Sequence, residues 1–187
     1  MKYPHDPERA RQILDTAGYH PVNGIRFHIT MKTSTDESTR LLAAVLQQQL
    51  RGVGIALDLR SFEFATFFAD ITRGAYQFHS LRWIGGNLDP DIFEHIFGSN
   101  SFAPKRANRT FYSNPRVDEL IAEGRSTIDQ QKRKMVYDEI QQILAEDLPY
   151  INLWYLDNVL VRTNRVRGID LGPSGNYDFL RAAELTH

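Results

Sequence analysis

The hydrophobic pattern switches repeatedly between two periods over residues 25–72, and this limits the chain to few architectures. Ile25, Phe27, Ile29 and Met31 alternate with Arg26, His28 and Thr30, the two-residue repeat of a half-buried strand. His28 falls on the polar side and reads as solvated. From Ser34 to Arg51 the spacing becomes helical, with Leu41, Leu42, Val45, Leu46 and Gln49-Leu50 as the stripe and Gly52 and Gly54 as the stop. Ile55, Leu57 and Leu59 then alternate with Ala56, Asp58 and Arg60, a second strand. Phe62 to Thr72 is helical again, with Phe64, Phe67, Phe68 and Ile71 expected as a core face. Strands alternating with helices predict an α/β layered domain.

The flanks extend this pattern. Asp6-Pro7-Glu8 opens a helix with a cap, a proline and an acid at its positive end; Ala10, Ile13, Leu14 and Ala17 form its face, and Gly18 closes it. Tyr76 to Trp83 reads as an aromatic strand running into Gly85, Gly86 and Asn87. Asp89-Pro90 reads as the start of a short helix carrying Asp91, Ile92, Phe93, His95, Ile96 and Phe97. A large aromatic beside a glycine-rich loop at a strand end is where open α/β sheets place ligands. The same run also suits a buried Trp83 with glycines that only turn the chain. Residues 98–112 read as an exposed polar loop containing the sequon Asn108-Arg109-Thr110. Helices follow from Asn114-Pro115 to about Ser126 and from Asp129 to Pro149, the latter with Met135, Val136, Ile140, Ile143 and Leu144 inward. Tyr150 to Leu156 and Val159 to Val161 read as strands, and the tail from Gly168 as loop.

Several functions are excluded or unsupported by composition. The 22 basic and 23 acidic residues leave a net charge of −1, with no electrostatic footprint for nucleic acid. The basic run Lys132-Arg133-Lys134 lies in a helical pattern as a solvated face. Cysteine is absent, which removes disulfides, thiolate metal sites and cysteine nucleophiles. No apolar run reaches the roughly 18 residues of a membrane span. No signal peptide opens the chain, and Met1 stands so close to a helix start that a cut piece with its address signal upstream is expected. Nucleophile elbows, phosphate loops and complete dinucleotide loops are missing, so no cofactor is expected. Asp91 and His95, four residues apart on a helix, could face one metal together with Asp89 or His79, as in a metal-dependent hydrolase. They also suit a helix-start acid and a surface histidine.

Five blocks in order resemble one family. They are Asp6-Pro7-Glu8-Arg9-Ala10 through Ala17-Gly18-Tyr19; Leu46-Gln47 through Gly54-Ile55 to Leu59; Trp83 to Phe93; Tyr112-Ser113-Asn114-Pro115 with Val117-Asp118 and Leu120-Ile121; and Ala145-Glu146-Asp147 with Pro149-Tyr150-Ile151. Together they resemble the C-terminal lobe of the family 5 extracytoplasmic solute-binding proteins, the dipeptide, oligopeptide and nickel-type receptors of ABC importers. The resemblance implies an α/β, periplasmic-binding-protein-like lobe of type II, a mixed sheet flanked by helices, spanning residues 1–187. The tail from about residue 165 would return toward a missing N-terminal lobe, so that the chain is about half of a binding protein. It further implies a periplasmic or membrane-anchored extracytoplasmic location, no enzymatic activity, permease subunits as partners, and a small solute, peptide-like or otherwise polar, held between two lobes. The ligand residues it implies are Trp83, Arg82, Gly85, Gly86, Asn87 and Asp89. Peptide-binding members commonly carry an aspartate at the position of Gly86, and a small residue at that of Arg82.

Overall fold

The computed structural model describes residues 3–83, 89–172 and 175–186. The chain divides into two units, one of Met1–Leu81 with Asp91–Pro149, the other of Arg82–Pro90 with Tyr150–His187.

The first unit opens with α1 (Pro7–Thr16), where Asp6 caps the amide of Arg9 at 2.9 Å. The predicted apolar face of α1 is not buried, and Ile13 is 54% exposed. Arginines hold the helix instead: Arg11 donates to the carbonyl of Gly52, and Arg26 to Asp15 and the carbonyl of Tyr19.

Three parallel strands follow: β1 (Phe27–Ser34), β2 (Ile55–Phe62) and β3 (Phe78–His79), in the order β2-β1-β3. The β1–β2 register runs from Phe27 opposite Ile55 to Ser34 opposite Phe62. Parallel neighbours need a crossover, supplied by α2 (Glu37–Arg51) and then α3 (Phe64–Thr72). The core here is Met31, Ala43 and Leu57, with Ile29, Leu46, Leu50 and Leu59 packed against it. The α2 contact is thus centred on a small residue. Leu41 and Val45, expected inward for their size, are 63% and 51% exposed.

The α3 expectation is half met. Phe67 and Ile71 are buried, whereas Phe64 and Phe68 face outward, because a short helix on a sheet buries one stripe and Asp70 occupies part of it. The β3 ladder is also far shorter than the aromatic run Tyr76–Trp83. Only Phe78 and His79 pair with β1, opposite Met31 and Lys32.

The rest of this unit is helical: α4 (Ile92–Phe97), α5 (Pro115–Ser126) and α6 (Gln130–Asp147). Val117, Leu120, Ile121, Val136, Tyr137, Ile140 and Leu144 form a second core. Tyr137 takes the inward position expected for Met135, which is 70% exposed. Gly124 makes room for it, since a Cβ there would lie 2.8 Å from the Tyr137 ring. Tyr112 and Asn114 both donate to Asp147, linking the start of α5 to the end of α6.

Residues 98–112 are not the exposed loop their polarity suggests. Ser101, Ala103, Ala107 and Asn108 are buried. The Asn108 amide donates to the carbonyls of Gly98 at 3.0 Å and Tyr112 at 2.8 Å and accepts from the Tyr112 amide at 3.1 Å. The asparagine of the sequon is therefore a structural clasp closed to modification.

In the second unit, β4 (Val166–Arg167) and β5 (Glu184–Leu185) pair antiparallel, with a 3-10 turn at Asp178–Ala182 before β5. The tail from Gly168 is thus not all loop. The strands expected at Tyr150–Leu156 and Val159–Val161 do not form. An extended run becomes a strand only when a neighbour takes its N–H and C=O groups. No strand ladder is formed by this run among the described residues, and Trp154, Tyr155, Val159 and Val161 remain exposed.

Candidate ligand-binding edge of the sheet

In the order β2-β1-β3 the chain runs from β1 to β2 on one side and then crosses to β3 on the other. Such a reversal of strand order, at the carboxyl ends of β1 and β3, is the place where open parallel sheets bind ligands. Lys32 and His79, paired in register, mark that edge.

The Lys32 ammonium, with its side chain 17% exposed, donates to Asp70 at 2.6 Å and lies 5.5 Å from the Phe62 ring centroid. Arg73 approaches the other oxygen of the same carboxylate. The hydrogen bond from Lys32, aided by the charges of Lys32 and Arg73, holds the Asp70 carboxyl below its usual range. One carboxylate thus serves two cations, tying α3 to β1. Beside it the Thr33 and Ser61 hydroxyls share a hydrogen bond of 2.8 Å.

His79 ends β3 with its ring 4.3 Å from that of Tyr76, whose hydroxyl donates to the carbonyl of Arg109. Burial, reinforced by the Arg109 charge, pushes the His79 pKa down to about 4, so the imidazole is neutral at pH 7. Lys32 and Asp70 were not among the residues anticipated from sequence, and His79 was anticipated only as an accessory to the metal reading. The available signal was Asp70, an acid three residues from Phe67 on the buried stripe of α3.

The anticipated residues follow His79 in the chain. Arg82 is exposed, and Trp83 keeps 44% of its surface accessible in this chain. Gly85, Gly86 and Asn87 lie outside the described residues. Asp89 is half-buried in a bend and does not open a helix. The helix starts at Ile92 with Asp91 at its cap position, and the Asp91 side chain makes no capping bond. That carboxylate is instead 2.8 Å from Nε of Arg125.

The same pairing corrects the hydrolase alternative based on Asp89, Asp91 and His95. An arginine on a carboxylate competes with a metal ion, and no group of three metal-ligating side chains is gathered among the described residues.

Residues 1–104, more than half of the 187, match the family described as bacterial extracellular solute-binding proteins, family 5 Middle. The chain belongs to that family. Di/tripeptide-binding protein 4 of Pseudomonas aeruginosa strain UCBPP-PA14 is 31% identical over 177 residues, 95% of this family 5 chain and 33% of that protein. The oligopeptide-binding protein AppA of Bacillus subtilis strain 168 is 27% identical over 183 residues, 92% of this chain and 33% of its own length. In structure, AppA from Bacillus subtilis in complex with a nonapeptide superposes with a TM-score of 0.81 at 25% identity, covering 97% of this chain and 38% of that one. A putative peptide-binding protein AppA from Clostridium difficile shares the fold, with a TM-score of 0.81 at 22% identity over 97% of this chain and 37% of that one. The helix-flanked α/β lobe that the resemblance implied is therefore present, and the three strands of its sheet, expected to be mixed, run parallel. The family 5 chain spans about a third of the length of these relatives, where about half was expected.

Proposed function

We propose that this chain is the C-terminal lobe of an ABC importer's solute-binding component, which captures a short peptide or another small polar solute between two lobes. The observation that carries this reading is the family match together with an accessible Trp83 just beyond the carboxyl end of β3. The names of these relatives, di/tripeptide-binding and oligopeptide-binding, favour a peptide-like solute. In this reading Trp83 is an aromatic platform, and Arg82, Gly85, Gly86, Asn87 and Asp89 line the cleft. The protein works outside the cytoplasm and delivers to permease subunits. The exposed apolar run from Ile151 to Val161 and the tail from about residue 165 belong with the lobe absent from this chain.

Trp83→Ala should change stability by less than about 1 kcal/mol, against about 3–5 kcal/mol for a buried aromatic. Solute affinity should fall at least tenfold. Urea denaturation and calorimetry separate the two effects, and a large stability loss would make Trp83 structural.

The position of Gly86 sharpens the substrate. A peptide ammonium that loses its water in a closed cleft needs a carboxylate or several acceptors in return. Glycine offers no side chain, and Arg82 adds positive charge close by in the chain. Titrating the full-length protein with a tripeptide and its N-acetylated form should therefore show less than a tenfold preference for the free amine, about 1.4 kcal/mol. A larger preference means that another residue holds the ammonium.

A further inference from the structure

The helix α3 is apolar on two sides. Its buried stripe holds Phe67 and Ile71. On the other side Phe64 and Phe68 stack with centroids 5.8 Å apart while 55% and 37% exposed. With Ala65, Ala69 and Pro104 they floor an open groove of about 610 Å³. Single exposed phenylalanines are ordinary, but a stacked pair flooring a groove is the signature of a contact surface.

The edge of this groove is positively charged. Arg73 lines it, the Arg109 guanidinium lies 5.2 Å from the Phe68 ring centroid, and Lys105, next to Pro104, is exposed. None of the lining residues is acidic. The carboxylates close by in the chain are engaged: Glu63 accepts from the amides of Ala65 and Thr66, and Asp70 faces both Lys32 and Arg73. Aromatic floors edged by arginine are the composition of interface hot spots, and a cationic edge selects an acidic partner.

We infer that this groove docks an acidic segment bearing an aromatic or aliphatic anchor, carried on the extracytoplasmic face of the permease that receives the solute. The anchor fills the space between Phe64, Phe68 and Pro104, and the carboxylates meet Arg73, Arg109 and Lys105. The inference rests on the importer reading above. A guanidinium already positioned on an aromatic face is partly desolvated and pre-organised, so pairing it with an incoming carboxylate orders little more of the side chain.

The test uses the full-length protein and its permease complex in lipid nanodiscs, with binding measured by surface-immobilised titration at low and high salt. Phe64→Ser and Lys105→Glu, at exposed positions, should each keep the circular dichroism spectrum and melting temperature of the parent. Each should weaken permease binding at least tenfold, and Lys105→Glu should also flatten its salt dependence. Solute affinity should stay within twofold. Unchanged permease binding by both variants would overturn the docking site while leaving the importer reading intact. Failure of the unaltered protein to bind the permease would instead overturn that reading. Loss of solute affinity in Phe64→Ser would assign the groove to the cleft, and loss of self-association in ultracentrifugation would assign it to a second copy; either result overturns the proposal.

Discussion

Asn108→Ala is expected to cost about 3–5 kcal/mol, measured as the shift in urea unfolding midpoint at constant slope. The side chain is fully buried and satisfies two carbonyls and one amide. Removing it loses about 1 kcal/mol per bond and leaves main-chain groups buried without partners at about 1–3 kcal/mol each, partly relieved where water can enter. The Ser99 contacts to Asp118 (2.9 Å from the amide, 2.5 Å from the hydroxyl) anchor the same segment to α5, so its loosening should reach the second core. Asn108→Asp is the informative companion, because it keeps the shape but places an acceptor against two carbonyl oxygens; it should be at least as damaging. A loss under about 1 kcal/mol for both would show that the loop folds without its clasp.

The second large effect is a pH dependence. The unfolded chain protonates His79 near its ordinary 6.5, whereas the folded chain holds it neutral down to about 4. Between these values the unfolded state binds more protons, so stability is complete above about pH 6.5 and falls as pH drops toward 4. At about 1.4 kcal/mol per unit the full difference is about 3 kcal/mol, of which about 2–3 should be lost by pH 4.5. His79→Phe keeps a ring against Tyr76 and cannot titrate, so it should flatten stability over this window. An equal slope in both proteins would move the effect to another group. Asp15, Asp70 and Asp147 do not interfere. Their carboxyls are held below the ordinary range chiefly by hydrogen bonds from Arg26, Lys32 and Tyr112, so their contributions are lost only below about pH 4.

Element identity was legible wherever a repeat and a cap coincided. Asp6, Asn114 and Asp129 cap the helices their positions predicted, and β1 and β2 follow the alternation of Ile29, Met31, Leu57 and Leu59. What failed was orientation and partnership. Side-chain size favoured Leu41, Val45, Phe64, Phe68 and Met135 as core, but a helix buries the stripe its neighbours can accommodate. Polarity made residues 98–112 look exposed, although one asparagine can turn a polar loop into interior when its bonds go to main chain. The runs Tyr76–Trp83 and Tyr150–Val161 have strand composition, and a strand also needs a partner that composition cannot report. Of the candidate site, Trp83 was accessible to sequence reasoning as an aromatic at a strand exit. The Lys32–Asp70 pair was not, because it joins residues from two elements whose proximity only the fold creates.

The two cores of the first unit are each built from chain neighbours. Met31, Ala43 and Leu57 come from β1, α2 and β2, while Val117 to Leu144 come from α5 and α6. Each can therefore open and reclose as its own cooperative unit, a foldon with a separate free energy of local unfolding. Slow-exchanging amides should fall into two families along the chain, and a substitution that loosens α5 and α6 need not accelerate exchange in β1. Evolution could then reshape the helical half without first having to restabilise the sheet edge that leads to Trp83.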